Sequence, residues 1–158
     1  MILNAQTIRV AIIGARDASQ AGIDFAFGVG KLLAERGVLV YTGGGSGIME
    51  AASKGVHEGG GIAVGVLKEA DGKDANKYIH IPIMTGMGDL RNGILIRSVH
   101  GAIAIEGAYG TLSEIAYTLG YEKPVLGYKS WDIPGIRSVN SPKEAVDSML
   151  KMIGDTNT

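Results

Sequence analysis

The chain of 158 residues is 46% hydrophobic and 20% charged, carries a net charge of −1 and contains no cysteine. That composition argues against a disordered polar chain and excludes disulfides, zinc–thiolate sites and cysteine nucleophiles. The near-neutral charge gives no reason to expect a nucleic-acid partner or a charged membrane surface, and no apolar run reaches the roughly 18 residues that a membrane span requires. Met1 to Arg9 lacks a basic segment followed by an apolar core, so no signal peptide is read and a cytoplasmic protein is expected. The length suits one domain, taken as residues 1–158.

The 25 glycines fall mostly at the ends of apolar segments, where strand–turn–helix units need them. Ile8 to Ile13 reads as a first strand ending at Gly14, and a polar turn with Arg16, Asp17 and Ser19 leads into a helix from about Gln20 to Arg36. Gly37 stops that helix, and Val38 to Tyr41 is the second strand. After the turn Gly43-Gly44-Gly45-Ser46-Gly47, a helix is expected over Ile48 to Glu58 and a third strand over Ile62 to Leu67. Lys68 to Lys77 reads as a mobile polar loop, Tyr78 to Ile83 as a fourth strand, and Gly88 to His100 as a helix carrying Arg91 and Arg97. Gly101 to Ile105 is the fifth strand, followed by a helix over Thr111 to Tyr121. Pro124 to Tyr128 is the sixth strand, and Arg137 to Val139 is a short edge strand. Ser141-Pro142-Lys143-Glu144 is a capping box that starts the last helix, and the end from Gly154 is expected to fray.

Strands that alternate with helices and are continuously apolar are buried on both faces. This predicts a single doubly wound (Rossmann-like) α/β domain, with a mostly parallel sheet of about six to seven strands and helices on both faces. Ligands in this class bind beyond the carboxyl ends of the strands, where the turns at Gly14, Gly43 and Gly107 lie.

The Gly43 to Gly47 turn is neither a dinucleotide fingerprint nor a P-loop, since it follows the second strand and no Gly-Lys-Ser or Gly-Lys-Thr follows it. Its glycines exceed what a tight turn requires and allow close backbone approach to a ligand. The second turn, Gly107-Ala108-Tyr109-Gly110-Thr111, joins a buried strand to a helix start, an arrangement that favours an anion such as phosphate. Thr111 and Glu114 allow two readings. Thr-x-x-Glu is the capping-box signature, and the same glutamate at a ligand-facing helix end suits a general base or a stabiliser of positive charge on a sugar ring. Arg91 and Arg97 are read either as solvated or as one phosphate-binding arginine. His57, His80 and His100 show no metal-ligand spacing, so no metal site is expected.

The ordered pair Gly43 to Met49 and Gly107 to Glu114 resembles the "lysine decarboxylase-like" superfamily. That superfamily holds the Lonely Guy cytokinin-activating phosphoribohydrolases, the nucleotide 5′-monophosphate nucleosidases, the molybdenum cofactor carrier proteins and, more remotely, DNA-processing protein A. The phosphoribohydrolase motif is Pro-Gly-Gly-x-Gly-Thr-x-x-Glu with an Arg-Lys pair upstream. The resemblance implies catalytic roles for Arg91, twenty residues before Thr111, and for Glu114. It departs at Glu106 for the proline, Ala108 for the second glycine and Asn92 for the lysine. These departures bring the chain closer to the carrier branch. A carboxylate at Glu106 should weaken a neighbouring phosphate site unless it is paired or turned away.

The expected function is therefore binding of a phosphorylated nucleotide-like or pterin-type small molecule, as in a molybdenum cofactor carrier. The alternative is a phosphoribohydrolase that splits a nucleoside 5′-monophosphate into base and ribose 5-phosphate; lysine decarboxylation is rejected. No cofactor is required, and the ligand is the molybdenum cofactor or a nucleotide monophosphate. Expected ligand residues are Gly14, Gly43, Gly44, Gly45, Ser46, Gly47, Gly107, Ala108, Tyr109, Gly110 and Thr111. The resemblance also implies a homo-oligomer, dimer or tetramer, with Met84, Met87, Ile94 and Leu95 as apolar candidates for its interface.

Overall fold

The computed structural model describes residues 2–156. In chain order the elements are β1 (Arg9–Gly14), α1 (Gln20–Glu35), β2 (Leu39–Thr42), α2 (Ile48–Glu58), β3 (Ala63–Leu67) and β4 (Ile81–Met84). A 3-10 turn (Gly88–Leu90) then leads into α3 (Arg91–Arg97), β5 (Gly101–Ile105), α4 (Tyr109–Gly120), β6 (Val125–Tyr128), β7 (Arg137–Ser138) and α5 (Pro142–Thr156). The seven strands form one parallel sheet in the order β4-β3-β2-β1-β5-β6-β7.

Strand alternation divides the core in two. Val10 and Ile12 of β1 and Ile103 and Ile105 of β5 face the layer built by α1, α2 and α5. Ala11, Ile13, Ala102 and Ala104 face α3 and α4 through Leu95, Ile96 and Ile115. Residues 10–13 of β1 and the whole of β5 are thus free of polar side chains because both of their faces are covered. Helices α1 and α2 approach so closely that a Cβ on Gly30 would lie 2.2 Å from the Ala52 carbonyl oxygen, which makes glycine obligatory there.

The chain builds outward from β1 to β4 and then returns to lay β5 on the other side of β1. Gly14 pairs with Ile105 at the carboxyl ends of these two strands, and this is the switch point of the sheet.

Four local expectations are revised. The fourth strand is Ile81–Met84, and all four of its residues are exposed, because it is the sheet edge rather than an interior strand; this also explains how Pro82 is accommodated. The helix expected over Gly88 to His100 is split, with its first turn in 3-10 geometry and only Arg91–Arg97 α-helical. The polar loop after β3 is fastened at Asn76, whose side chain donates to the carbonyls of Gly44 (3.2 Å) and Gly45 (2.9 Å). Gly154 lies within α5, which continues to Thr156; the rest of the expected frayed end lies outside the described residues. The serine half of the capping box at Ser141 forms, with the Glu144 N–H donating to Ser141 Oγ at 3.1 Å, while the Glu144 carboxylate receives the N–H of Asn140, one residue earlier, at 2.8 Å.

Candidate functional site

A cavity of about 500 Å3 opens at the carboxyl edge of the sheet, over the switch point. Its wall is formed by Gly14 to Asp17 after β1, by Lys68 after β3, by Arg91 and Asn92 at the start of α3, and by the turn and first residues of α4. Met49 of α2 contributes an apolar patch.

Helix α4 begins at Tyr109, with Ala108 at its N-cap and no side chain capping it. Thr111 is therefore the third residue of the helix and Glu114 the sixth, so Thr-x-x-Glu is not a capping box here. The uncapped N-terminus keeps its partial positive charge directed at the cavity, and the small residues Gly107, Ala108 and Gly110 let a ligand reach the backbone there. The Ala108 carbonyl is fixed from outside by the Trp131 indole N–H at 3.1 Å.

Glu114 is buried, with only 7% of its surface exposed, and lines the cavity. Burial raises its carboxyl from the ordinary 4.5 to about 7, against the opposing pull of Arg91 and Lys68. A carboxyl poised there exchanges a proton near neutrality and can serve as acid or base.

Arg91 is equally enclosed, with 6% of its surface exposed. Its Nε donates to Asn92 Oδ1 at 2.7 Å, and its Nη1 donates to the carbonyls of Gly43 (2.7 Å) and Val66. Burial lowers its proton affinity and the nearby Glu114 carboxyl opposes that shift. Asn92 Nδ2 in turn donates to Ser113 Oγ at 3.0 Å, which ties α3 to α4. Lys68 reaches Asp89 at 2.6 Å, and this hydrogen-bonded lysine holds the Asp89 carboxyl below the usual carboxylate range.

The expected site residues separate into two groups. Gly14, Arg91, Gly107, Ala108, Gly110, Thr111 and Glu114 share the cavity wall. Gly43, Gly44, Gly45, Ser46 and Gly47 do not line it. The Gly43 carbonyl is taken by Arg91 and those of Gly44 and Gly45 by Asn76, so this turn holds the guanidinium in place rather than forming the wall. Gly47, at φ 69°, would place a Cβ 2.2 Å from the Arg16 carbonyl oxygen, so glycine there serves chain packing against the first loop. Tyr109 is 81% exposed, outside the cavity wall, with its ring centroid 6.1 Å from that of Trp131.

Glu106 is hydrogen-bonded to the start of α1, with no cation paired to it among the described residues. Its carboxylate accepts from the Ser19 N–H at 3.1 Å and from the Ser19 hydroxyl. Its backbone has φ 53°, a conformation that the proline of the phosphoribohydrolase motif, locked near about −65°, is unable to adopt. The turn before α4 therefore follows a different backbone path from one that carries proline.

Sequence reasoning missed Lys68 altogether. It directly follows β3, and a parallel sheet brings every residue at that position to the same edge, so its place in the chain was the available signal.

A family model described as the SLOG cluster4 family matches residues 7–153. The chain belongs to the SLOG cluster4 family. An uncharacterised protein of Archaeoglobus fulgidus is 38% identical over 142 residues, covering 89% of this chain and 93% of that protein. The cytokinin riboside 5′-monophosphate phosphoribohydrolase LOG of rice is 36% identical over 99 residues, but the match covers 58% of this chain and only 39% of that enzyme. Among solved structures, the molybdenum cofactor binding protein of Rippkaea orientalis superposes with a TM-score of 0.89 at 27% identity, covering 95% of this chain and 99% of that one. The Moco carrier protein of Chlamydomonas reinhardtii gives 0.86 at 26% identity, with coverage of 95% and 99%. DNA processing protein A of Streptococcus pneumoniae shares the fold, with a TM-score of 0.73 at 18% identity. The SLOG cluster4 chain thus shares its Rossmann-like architecture with these two molybdenum cofactor proteins over 95% of its length.

Proposed function

We propose that this protein binds a phosphorylated, pterin-type or nucleotide-like small molecule in the cavity at the switch point, in the manner of a molybdenum cofactor carrier. The observation that carries this reading is the uncapped N-terminus of α4. It faces a cavity of about 500 Å3 whose wall also holds Arg16, Lys68 and Arg91. The phosphate sits on the backbone N–H groups of Gly107 to Thr111, and the remainder of the ligand lies toward Met49 and the loop after β1. The Gly43 to Gly47 turn acts at one remove, by holding Arg91. The likeness to two molybdenum cofactor proteins over 95% of the chain supports the carrier class.

A second reading has its own observation. The Glu114 carboxyl at about 7 beside Arg91 is the pair that N-glycosidic hydrolysis of a nucleoside monophosphate uses, with Glu114 assisting water attack and Arg91 orienting the sugar phosphate. The match to the rice phosphoribohydrolase supports it. The two readings part in one experiment. The protein is incubated with a panel of nucleoside 5′-monophosphates while free base is followed, and binding of the molybdenum cofactor is titrated in parallel. The carrier reading predicts tight cofactor binding and no base release. Base release that Glu114→Gln abolishes replaces it with the hydrolase reading.

We also propose a homo-oligomer. Ile81, Ile83 and Met84 of β4, Met87 and Leu90 beyond it, and Ile94 of α3 are all exposed, and these large apolar side chains are the surface a second copy would cover. Leu95, expected at this interface, is fully buried in the core and belongs to the fold instead.

A further inference from the structure

We propose that Glu106 is a specificity-determining residue. Its carboxylate fills the N-terminus of α1 as a built-in anion, so that the cavity takes ligands with one phosphate and disfavours those with a second. The inference rests on the phosphate-site reading above and adds to it the number of anionic groups the site admits. The N-termini of α1 and α4 lie on either side of Glu106 and Gly107 at the switch point, and a ligand with two phosphates would find a positive helix end for each.

Of these two, the end at α4 is uncapped and the end at α1 is filled. At α1 the Glu106 carboxylate receives the N–H of Ser19 at 3.1 Å and the Ser19 hydroxyl, and Ser19 is the N-cap residue. The first turn of α1 contains no acidic residue of its own, so Glu106 supplies the negative charge that this helix end favours. The fit is close. A Cβ on Gly22, in that first turn, would lie 2.6 Å from Glu106 Oε1, so the helix is bare at this point to admit the carboxylate.

Glu106 holds this position at φ 53°, with its N–H on the Tyr128 carbonyl at 2.9 Å and its carbonyl receiving Ser130 Oγ at 2.7 Å. The side chain is thus delivered to α1 by a turn fixed on both sides. Glu106 itself lines the cavity, whereas Ser19 and Gly22 behind it do not. A second phosphate on the ligand would meet a fixed carboxylate where it would otherwise meet helix N–H groups, and like charges brought together in this way discriminate against the wrong ligand.

The test compares binding of AMP and ADP, by titration calorimetry, to the wild type, Glu106→Gln and Glu106→Gly. Gln keeps the shape and one acceptor for the Ser19 N–H but removes the charge. Gly is unstrained at this φ and keeps the test available if the Gln variant folds poorly. The wild type is expected to prefer AMP over ADP by about tenfold or more, and both variants to lose most of that preference by gaining affinity for ADP. A role in capping alone would lower thermal stability and leave the ratio of the two affinities unchanged, and an unchanged ratio in folded variants that still bind AMP overturns the inference while sparing the phosphate-site reading. A wild type that binds neither nucleotide overturns the inference, and one that also fails to bind the molybdenum cofactor overturns the phosphate-site reading.

Discussion

Glu114 and Glu106 stand on one cavity wall in opposite environments. Glu106 is hydrogen-bonded to Ser19, whereas Glu114 is enclosed and its carboxyl is pushed up to about 7. The folded protein therefore holds the Glu114 proton more tightly than the unfolded chain does. The stabilisation that follows is fully present below about pH 4.5 and is lost as the pH rises through about 7. Glu114→Gln carries no such proton. Its stability curve is expected to be flatter between those pH values, with the variant gaining on the wild type above pH 7 by on the order of 1–3 kcal/mol. Urea denaturation across this range checks it, and parallel curves for the two proteins would contradict the burial argument. At this scale the sequence was informative about which residues carry the chemistry, since Arg91 and Glu114 do meet at one cavity. It was silent on their partners. That the Arg91 guanidinium is fixed by two backbone carbonyls, from Gly43 and Val66, depends on a convergence of distant chain segments that no local spacing encodes.

Two segments with the same Ser/Thr-x-x-Glu pattern behave differently as elements. Ser141 caps α5, and its Oγ receives the Glu144 N–H. Thr111 lies inside α4, because that helix starts at Tyr109 and Ala108 takes the N-cap position. A capping box specifies which side chains can cap, but the start of the helix is set by the turn before it, here by the fixed backbone of Glu106 and Gly107. Ser141→Ala is expected to cost about 1 kcal/mol of stability, read from chemical denaturation. A loss near zero would show that the cap contributes nothing. The strand–helix alternation itself was legible throughout, because apolar runs bounded by glycine are the direct signature of covered parallel strands. Exposure of β4 was not legible, because Ile81-Pro82-Ile83-Met84 is as apolar as an interior strand and only sheet order shows that it is the edge.

For the whole molecule, the sheet order places the switch point between β1 and β5, and the cavity follows from that topology. The same order leaves β4 at a sheet edge with apolar side chains exposed. If a second copy covers that surface, Ile83→Glu combined with Ile94→Glu converts an oligomer into a folded monomer in sedimentation velocity. A monomeric wild type at micromolar concentration removes the claim. The central claim is that the N-terminus of α4 receives the phosphate of a ligand, and Gly110→Asp tests it most directly. A Cβ at Gly110 meets nothing within 4 Å, and an aspartate in the first turn of a helix is favourable to the fold. Its carboxylate nevertheless stands where the phosphate is placed. Calorimetric titration with AMP and with the molybdenum cofactor should show affinity reduced by about tenfold or more in Gly110→Asp, with thermal stability not lowered. Equal affinity in the variant and the wild type would contradict the account.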